Sequence, residues 1–202
     1  MPVADKDSFY TGSWSGYYFS WEQETGNLRW RTQTGYNERG GGLPDSAAPT
    51  LHKDHLYVQK NGHIIAAINK HSGKIDWEWQ APAGYLQNGT LAGMEDRIYG
   101  SVVNRVTHIP YISWLICFND VENGSRELWR HRDGGGLTAP VVTDHQLIFG
   151  SSTGMFLTSL DPLTGELLWR VYTGGEMTEN VPAIYGKMVY SVSKNGWLNA
   201  VK

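Results

Sequence analysis

The residues of this 202-residue chain that could carry chemistry are seven histidines, one cysteine and twenty carboxylates. The histidines, His52, His55, His63, His71, His108, His131 and His145, are scattered, and their spacing assembles no nucleophile, base and orienting acid, so no catalytic residue is expected. His52 and His145 each neighbour an acid (Asp54, Asp144) in a turn, which places them at solvent-facing ends. A single cysteine excludes an intramolecular disulfide, and no Cys/His spacing matches a structural zinc site. Cys117 lies in the apolar run Trp114–Phe118 (WLICF) and reads as a buried strand residue. Oxygen donors of the kind calcium uses occur together at Glu176, Glu179 and Asn180, weak metal candidates on one loop. The segment Thr34–Ser46 holds Glu38 and Arg39 beside three glycines. It lacks the strand–turn–helix setting of a phosphate cradle and reads as a flexible connection. Asn104–Ser113 (NRVTHIPYIS) brings Arg105, His108 and Tyr111 into one insertion, which reads either as a partner-binding loop or as an extended hairpin. Two Asn-X-Ser/Thr sequons begin at Asn88 and Asn123 and matter only in a glycosylating pathway.

The elements that would position these residues are set by a repeat. Leu147–Trp169 (LIFGSSTGMFLTSLDPLTGELLW) aligns with Leu56–Trp77 (LYVQKNGHIIAAINKHSGKIDW), with Phe9–Trp30, and with Ile98–Trp129 once its insertion is allowed for. The chain ends inside a fifth copy, Met188–Lys202. The terminal tryptophans Trp30, Trp77, Trp129 and Trp169 lie 47, 52 and 40 residues apart, a propeller-like period. Each copy reads strand, turn, strand, turn, strand. A further strand precedes it at Ala48–Leu51, Leu91–Gly93, Ala139–Val142 and Pro182–Ile184, where Pro49, Pro140 and Pro182 suit a strand start or an edge. Four strands per unit make a propeller blade.

Within the second turn, Glu22, Asn69, Asp120 and Asp161 stand four residues before Gly26, Gly73, Gly124 and Gly165. The first set can accept hydrogen bonds from turn amides, and the glycines suit positive φ. Each following tryptophan is large and apolar with one N–H to satisfy, so it can pack on the neighbouring blade without any catalytic role.

Composition agrees with many tight turns: 24 glycines are about 12% of the chain, against about 7% ordinarily. A net charge of −3 with no basic run argues against nucleic-acid binding. No apolar run approaches the roughly 20 residues needed to span a bilayer, and Met1–Tyr10 has no signal-peptide plan.

TGNLRW (Thr25–Trp30), SGKIDW (Ser72–Trp77) and LDPLTGELLW (Leu160–Trp169) resemble the pyrroloquinoline-quinone-type repeat, the tryptophan-docking blade of quinoprotein-like β-propellers. The resemblance implies an all-β fold of four-stranded antiparallel blades. Four to five units are present, over approximately 8–35, 46–82, 89–134, 138–175 and 180–202 of one domain. Unit one is expected to lack its first strand and unit five its last. That gives roughly 18 strands, where an eight-bladed ring needs about 32, so the chain is expected to be an arc or fragment of a seven- to eight-bladed propeller.

Family members named by the resemblance include quinone-dependent dehydrogenases and a scaffold of outer-membrane β-barrel assembly, so fold does not settle function. The dehydrogenases resemble one another in an adjacent Cys pair, a calcium and a catalytic Asp; here Cys117 is alone. The leading expectation is a non-catalytic module that binds or scaffolds proteins through its blade loops, with no cofactor. The partner would be another protein, the remainder of a larger propeller or a second copy. The alternatives are a fragment of a pyrroloquinoline-quinone- and calcium-dependent alcohol or sugar dehydrogenase, and a propeller appended to another enzyme. The resemblance implies an extracytoplasmic or periplasmic location.

Overall fold

In the computed structural model, residues 2–13, 15–35, 48–104, 112–120, 126–177 and 181–202 are described, with the backbone alone at 86–89. Nineteen strands and no helix occur among them. The first sheet joins β1 (Val3–Ala4), β2 (Ser8–Ser13), β3 (Tyr17–Glu22) and β4 (Leu28–Gln33), and the second β5 (Thr50–His52), β6 (His55–Lys60), β7 (Ile64–Asn69) and β8 (Ile75–Gln80). The third contains β9 (Tyr85–Met94), β10 (Arg97–Asn104), β11 (Ile112–Asn119) and β12 (Arg126–Gly134). The fourth contains β13 (Val141–Val142), β14 (Leu147–Gly150), β15 (Phe156–Leu160) and β16 (Leu167–Tyr172). The fifth stops at three strands, β17 (Ala183–Tyr185), β18 (Met188–Val192) and β19 (Leu198–Val201). Every sheet is an antiparallel meander, the blade the repeat predicts.

Two expectations are corrected. The first unit does have a first strand, because Val3 pairs with Tyr10 and Ala4 with Phe9. Two residues show no alternation to read, and the strand is held by Val3 packing against the core between the first two blades. In the third unit the first strand, expected at Leu91–Gly93, begins earlier, at Tyr85. The cause is the extended β10, whose residues up to Asn104 pair with Tyr85–Gln87 beyond an irregularity between Tyr99 and Ser101. Asn104 and Ile112–Ser113, at the margins of the insertion, are strand; Arg105, His108 and Tyr111 lie outside the described residues.

Strand alternation gives each blade two apolar faces, and four cores form where a face meets the next blade. Tyr10, Tyr18 and Trp30 pack on Leu56, Val58, Ala66 and Ile68. The other face of the second blade (Tyr57, Ile65, Ala67, Trp77) packs on Ile98, Val102, Ile116 and Phe118. Tyr99, Leu115 and Cys117 meet Leu147, Phe149 and Leu160, and Ile148 and Leu157 meet Val189. Blades therefore stack in chain order.

Candidate functional site

The repeated turn and tryptophan build a joint between successive blades. In blades one to four, the third and fourth strands slip register at one place, between Ser20 and Trp21, Ala67 and Ile68, Cys117 and Phe118, and Ser159 and Leu160. A bulge bends its strand and re-aims a side chain. Beside each one stands the tryptophan, paired with Ser20, Ala67, Cys117 or Ser159. The Trp30 indole donates to the Lys70 carbonyl at 2.8 Å, and that of Trp129 to the Pro162 carbonyl at 3.2 Å, each on the turn of the following blade. Gly73 and Gly165 face those rings. A Cβ on Gly73 would lie 2.7 Å from Trp30, and one on Gly165 would lie 2.6 Å from Trp129. Both glycines also hold positive φ (+72° and +75°), so conformation and space both require glycine there. Gly26 has the same φ of +72° and no neighbour within 4 Å. Gly124 lies outside the described residues.

Two tryptophans depart from this pattern. Trp77 donates to a side chain, Asp120 Oδ1, at 3.2 Å. Asn69 and Asp161 do cap their turns as the sequence predicts, Asn69 Oδ1 accepting from His71 and Ser72 and Asp161 Oδ1 from Leu163 and Thr164. Asp120 does not occupy that place. Its amide donates to the Asp96 carbonyl as that of Lys70 does to Asp54 and that of Gln23 to Asp7, so Asn119 holds the capping position and Asp120 stands one residue later. Its carboxylate is thereby released toward the second blade. Trp169 turns back to Gln146 Oε1 of its own blade at 3.2 Å.

Around Asp120 a cleft of about 600 Å³ opens between blades two and three, lined by Lys53, Asp54, His55, Asn69, Asp76, Asp96 and Asp120. His55 bridges two carboxylates, with Nε2 3.0 Å from Asp76 Oδ2 and Nδ1 3.5 Å from Asp120 Oδ1. The bond to Asp120, outweighing burial, raises its pKa above the ordinary value. Burial alone would raise Asp120, yet hydrogen bonds from His55, Tyr57 and Trp77 hold it at about 2. The remaining acids are paired as well, Asp54 with Lys70 at 3.4 Å and Asp96 with Lys53. Burial drives the Tyr57 phenol far above its usual range. With both imidazole nitrogens engaged by carboxylates, His55 has no free base to offer. The contact with Asp120 ties blade two to blade three.

His55 was legible only as one of seven scattered histidines. Its clue is positional, since the first residue of the second strand in the neighbouring repeats is also polar: Arg97 donates to the Leu163 carbonyl of the next blade at 3.0 Å. His52, expected at solvent, packs against Gly93 and bonds the Glu95 carbonyl at 2.7 Å. His145 is exposed in its turn as expected. His131 stacks edge-on to Phe149, and burial lowers its pKa. Glu176 pairs with Lys194 at 3.1 Å, while Glu179 and Asn180 lie outside the described residues.

A quinone and calcium site was tested against these side chains. Cys117 is buried and forms no disulfide, its thiol pushed up to about 11 by burial. Among the described residues no three His, Cys, Asp or Glu side chains converge on a point a cation could occupy. Among the described residues, these side chains do not fit that group.

A family model described as outer membrane protein assembly factor BamB matches residues 1–104 and 120–202. The chain belongs to that family. The unmatched residues, 105–119, include most of the insertion. No curated protein sequence matches the chain. Among solved structures, BamB from Moraxella catarrhalis is similar with 16% identity and a TM-score of 0.56, over 98% of this chain and 68% of that one. A quinohemoprotein alcohol dehydrogenase from Pseudomonas putida is similar with 14% identity and a TM-score of 0.74, over 99% of this chain and 39% of that one. A europium-containing methanol dehydrogenase is similar with 9% identity and a TM-score of 0.76, over 99% of this chain and 48% of that one. At these identities the likeness shows the fold, a β-propeller of quinoprotein-type blades. The chain spans under half the length of either dehydrogenase.

Proposed function

We propose that this chain is a non-catalytic arc of a quinoprotein-like propeller that binds and scaffolds proteins, working outside the cytoplasm as the description of its BamB family suggests. The observation that carries this reading is where its charged side chains are spent: the His55, Asp76 and Asp120 cluster, with both imidazole nitrogens engaged, fastens blade to blade. The blade loops and ends are then the surfaces left for partners. A second reading, a fragment of a quinone-dependent dehydrogenase, draws on the closer superposition on those enzymes. Absorbance titration of the purified chain, and of any longer form, with pyrroloquinoline quinone and calcium separates the two. The scaffold reading expects no saturable change in the quinone spectrum and no dye-coupled alcohol oxidation. Calcium-dependent saturation would overturn it.

A further inference from the structure

We infer that the outer edge of β12 is a strand-acceptor site for an extended segment of a partner protein that carries acidic residues at alternate positions. This deepens the protein-binding reading, on which it rests, by naming the partner's chemistry. In each four-stranded blade the fourth strand is paired on one side only, β12 with β11. Among the described residues no further main-chain hydrogen bond to another backbone group reaches Arg126–Asp133. Unpaired edge N–H and C=O groups are a template for another strand, which adds through main-chain bonds and is selected by its side chains.

The fourth strands differ in length. β4, β8 and β16 have six residues each, whereas β12 has nine, because β11 begins at Ile112 and pairs Ile112–Trp114 with Arg132–Gly134. At a rise of about 3.3 Å per residue, nine residues offer about 30 Å of edge. The slip between Cys117 and Phe118 lies near the start of β12, so Trp129–Gly134 follows in unbroken register.

Charge then selects the strand that fits. Edges are commonly blunted by charged side chains. On β8 and β16 those charges are matched inside the molecule, Asp76 by His55, Glu78 by Lys60, and Arg170 by Asp133 at 2.8 Å. On β12 both acids are already taken, Asp133 by Arg170 and Glu127 by two hydrogen bonds from Arg130, whose guanidinium lies 5.6 Å from the centre of the Trp114 ring. Arg126 and Arg132 are exposed and meet no acid among the described residues. Arg130 and Arg132 pair with Ile116 and Trp114, residues of the core against blade two, so both arginines lie on that face of the strand. An added strand places every second side chain on the same face, where carboxylates would meet the guanidinium groups.

The test is fluorescence anisotropy of the full 202-residue chain with a labelled alternating peptide, TVEVEVEVT. Saturable binding is expected, weakened as salt rises and at least about tenfold weaker for TVKVKVKVT, whose ammonium groups would face the arginines. Binding should be lost when the acidic peptide is N-methylated throughout, which removes its main-chain donors and leaves its charges in place. In the protein, Arg132→Glu should weaken capture at least about tenfold with an unchanged far-UV spectrum, while Arg132→Lys should retain most of it. On binding, amide hydrogen exchange should slow in β12 and not in β8, the acidic fourth strand of blade two. Absence of saturable binding, equal binding of the lysine or N-methylated peptide, undiminished binding to Arg132→Glu, or protection outside β12 would each overturn the inference. The outcomes are separable from those of the quinone titration, because that experiment reads a cofactor spectrum and this one reads a single strand edge.

Discussion

At the scale of single residues, the joint between blades two and three depends on one extra position before Asp120. Standing one residue beyond the capping place, its buried carboxylate takes the Trp77 indole and the His55 imidazole together. Both titrations favour the ion pair. The pKa of His55 is raised on folding, so its contribution is complete below the ordinary value of 6.5 and is lost as pH rises through the raised one. Asp120 is lowered to about 2, so its contribution is complete above the ordinary 3.8 and is lost as pH falls through about 2. Urea unfolding should therefore show this pair's stabilisation greatest between about 4 and about 6.5. Asp120→Ala should cost about 2–3 kcal/mol inside that window, because it leaves the Trp77 indole N–H and the Nδ1 side of His55 without their carboxylate while Asp76 still holds Nε2. It should also flatten the decline in stability on the alkaline side. A pH dependence identical to that of the unaltered protein would count against the assignment.

At the scale of the element, a four-residue turn, a bulge and an indole act as one unit. The bulge aims the tryptophan out of its own sheet, and the glycine turn of the next blade leaves room for the ring. Gly26 and Gly73 separate the two demands on that glycine, since they share φ +72° while only Gly73 touches a ring. Gly26→Ala should show only the cost of a left-handed conformation, about 1 kcal/mol. Gly73→Ala should cost about 1–3 kcal/mol more, because its Cβ would force Trp30 out of place. The comparison is read from denaturant midpoints at constant m. Equal costs would mean that conformation alone selects the glycine.

At the scale of the molecule, the arc is a stack in which each blade is stabilised by its neighbours, so its ends have one neighbour each. The fifth blade is weakest. It has three strands, and its joint with the fourth rests on a small core of Ile148, Leu157, Met177 and Val189, with Trp169 packed against it but bonding its indole within its own blade. The second and third blades share the most extensive apolar core together with the His55 latch. Amide hydrogen exchange should accordingly proceed first through β17–β19 and last through β6, β7, β10 and β11. Uniform protection across the five blades would show that the arc unfolds as one unit.

Much of this architecture was legible because a propeller repeats local chemistry. Alternation, turn glycines and tryptophan spacing are set within about 25 residues of chain, and they gave the all-β blades, the capping roles of Asn69 and Asp161, and the burial of Cys117. The relations between blades were not legible, because they depend on which residue of one repeat stands opposite which residue of the next. Aligned by sequence, Asp120 looked like one more turn cap; the register moved it by one residue and made it a latch for His55. Val3–Ala4 is too short to carry a pattern, and Trp169 reads like the other tryptophans in the sequence, whereas its indole bonds Gln146 of its own blade. The sequence by itself determined the unit and its internal hydrogen bonding, because those interactions lie close along the chain. Only the tertiary structure decided how charges and indoles pair across blades, because those contacts join residues far apart along the chain.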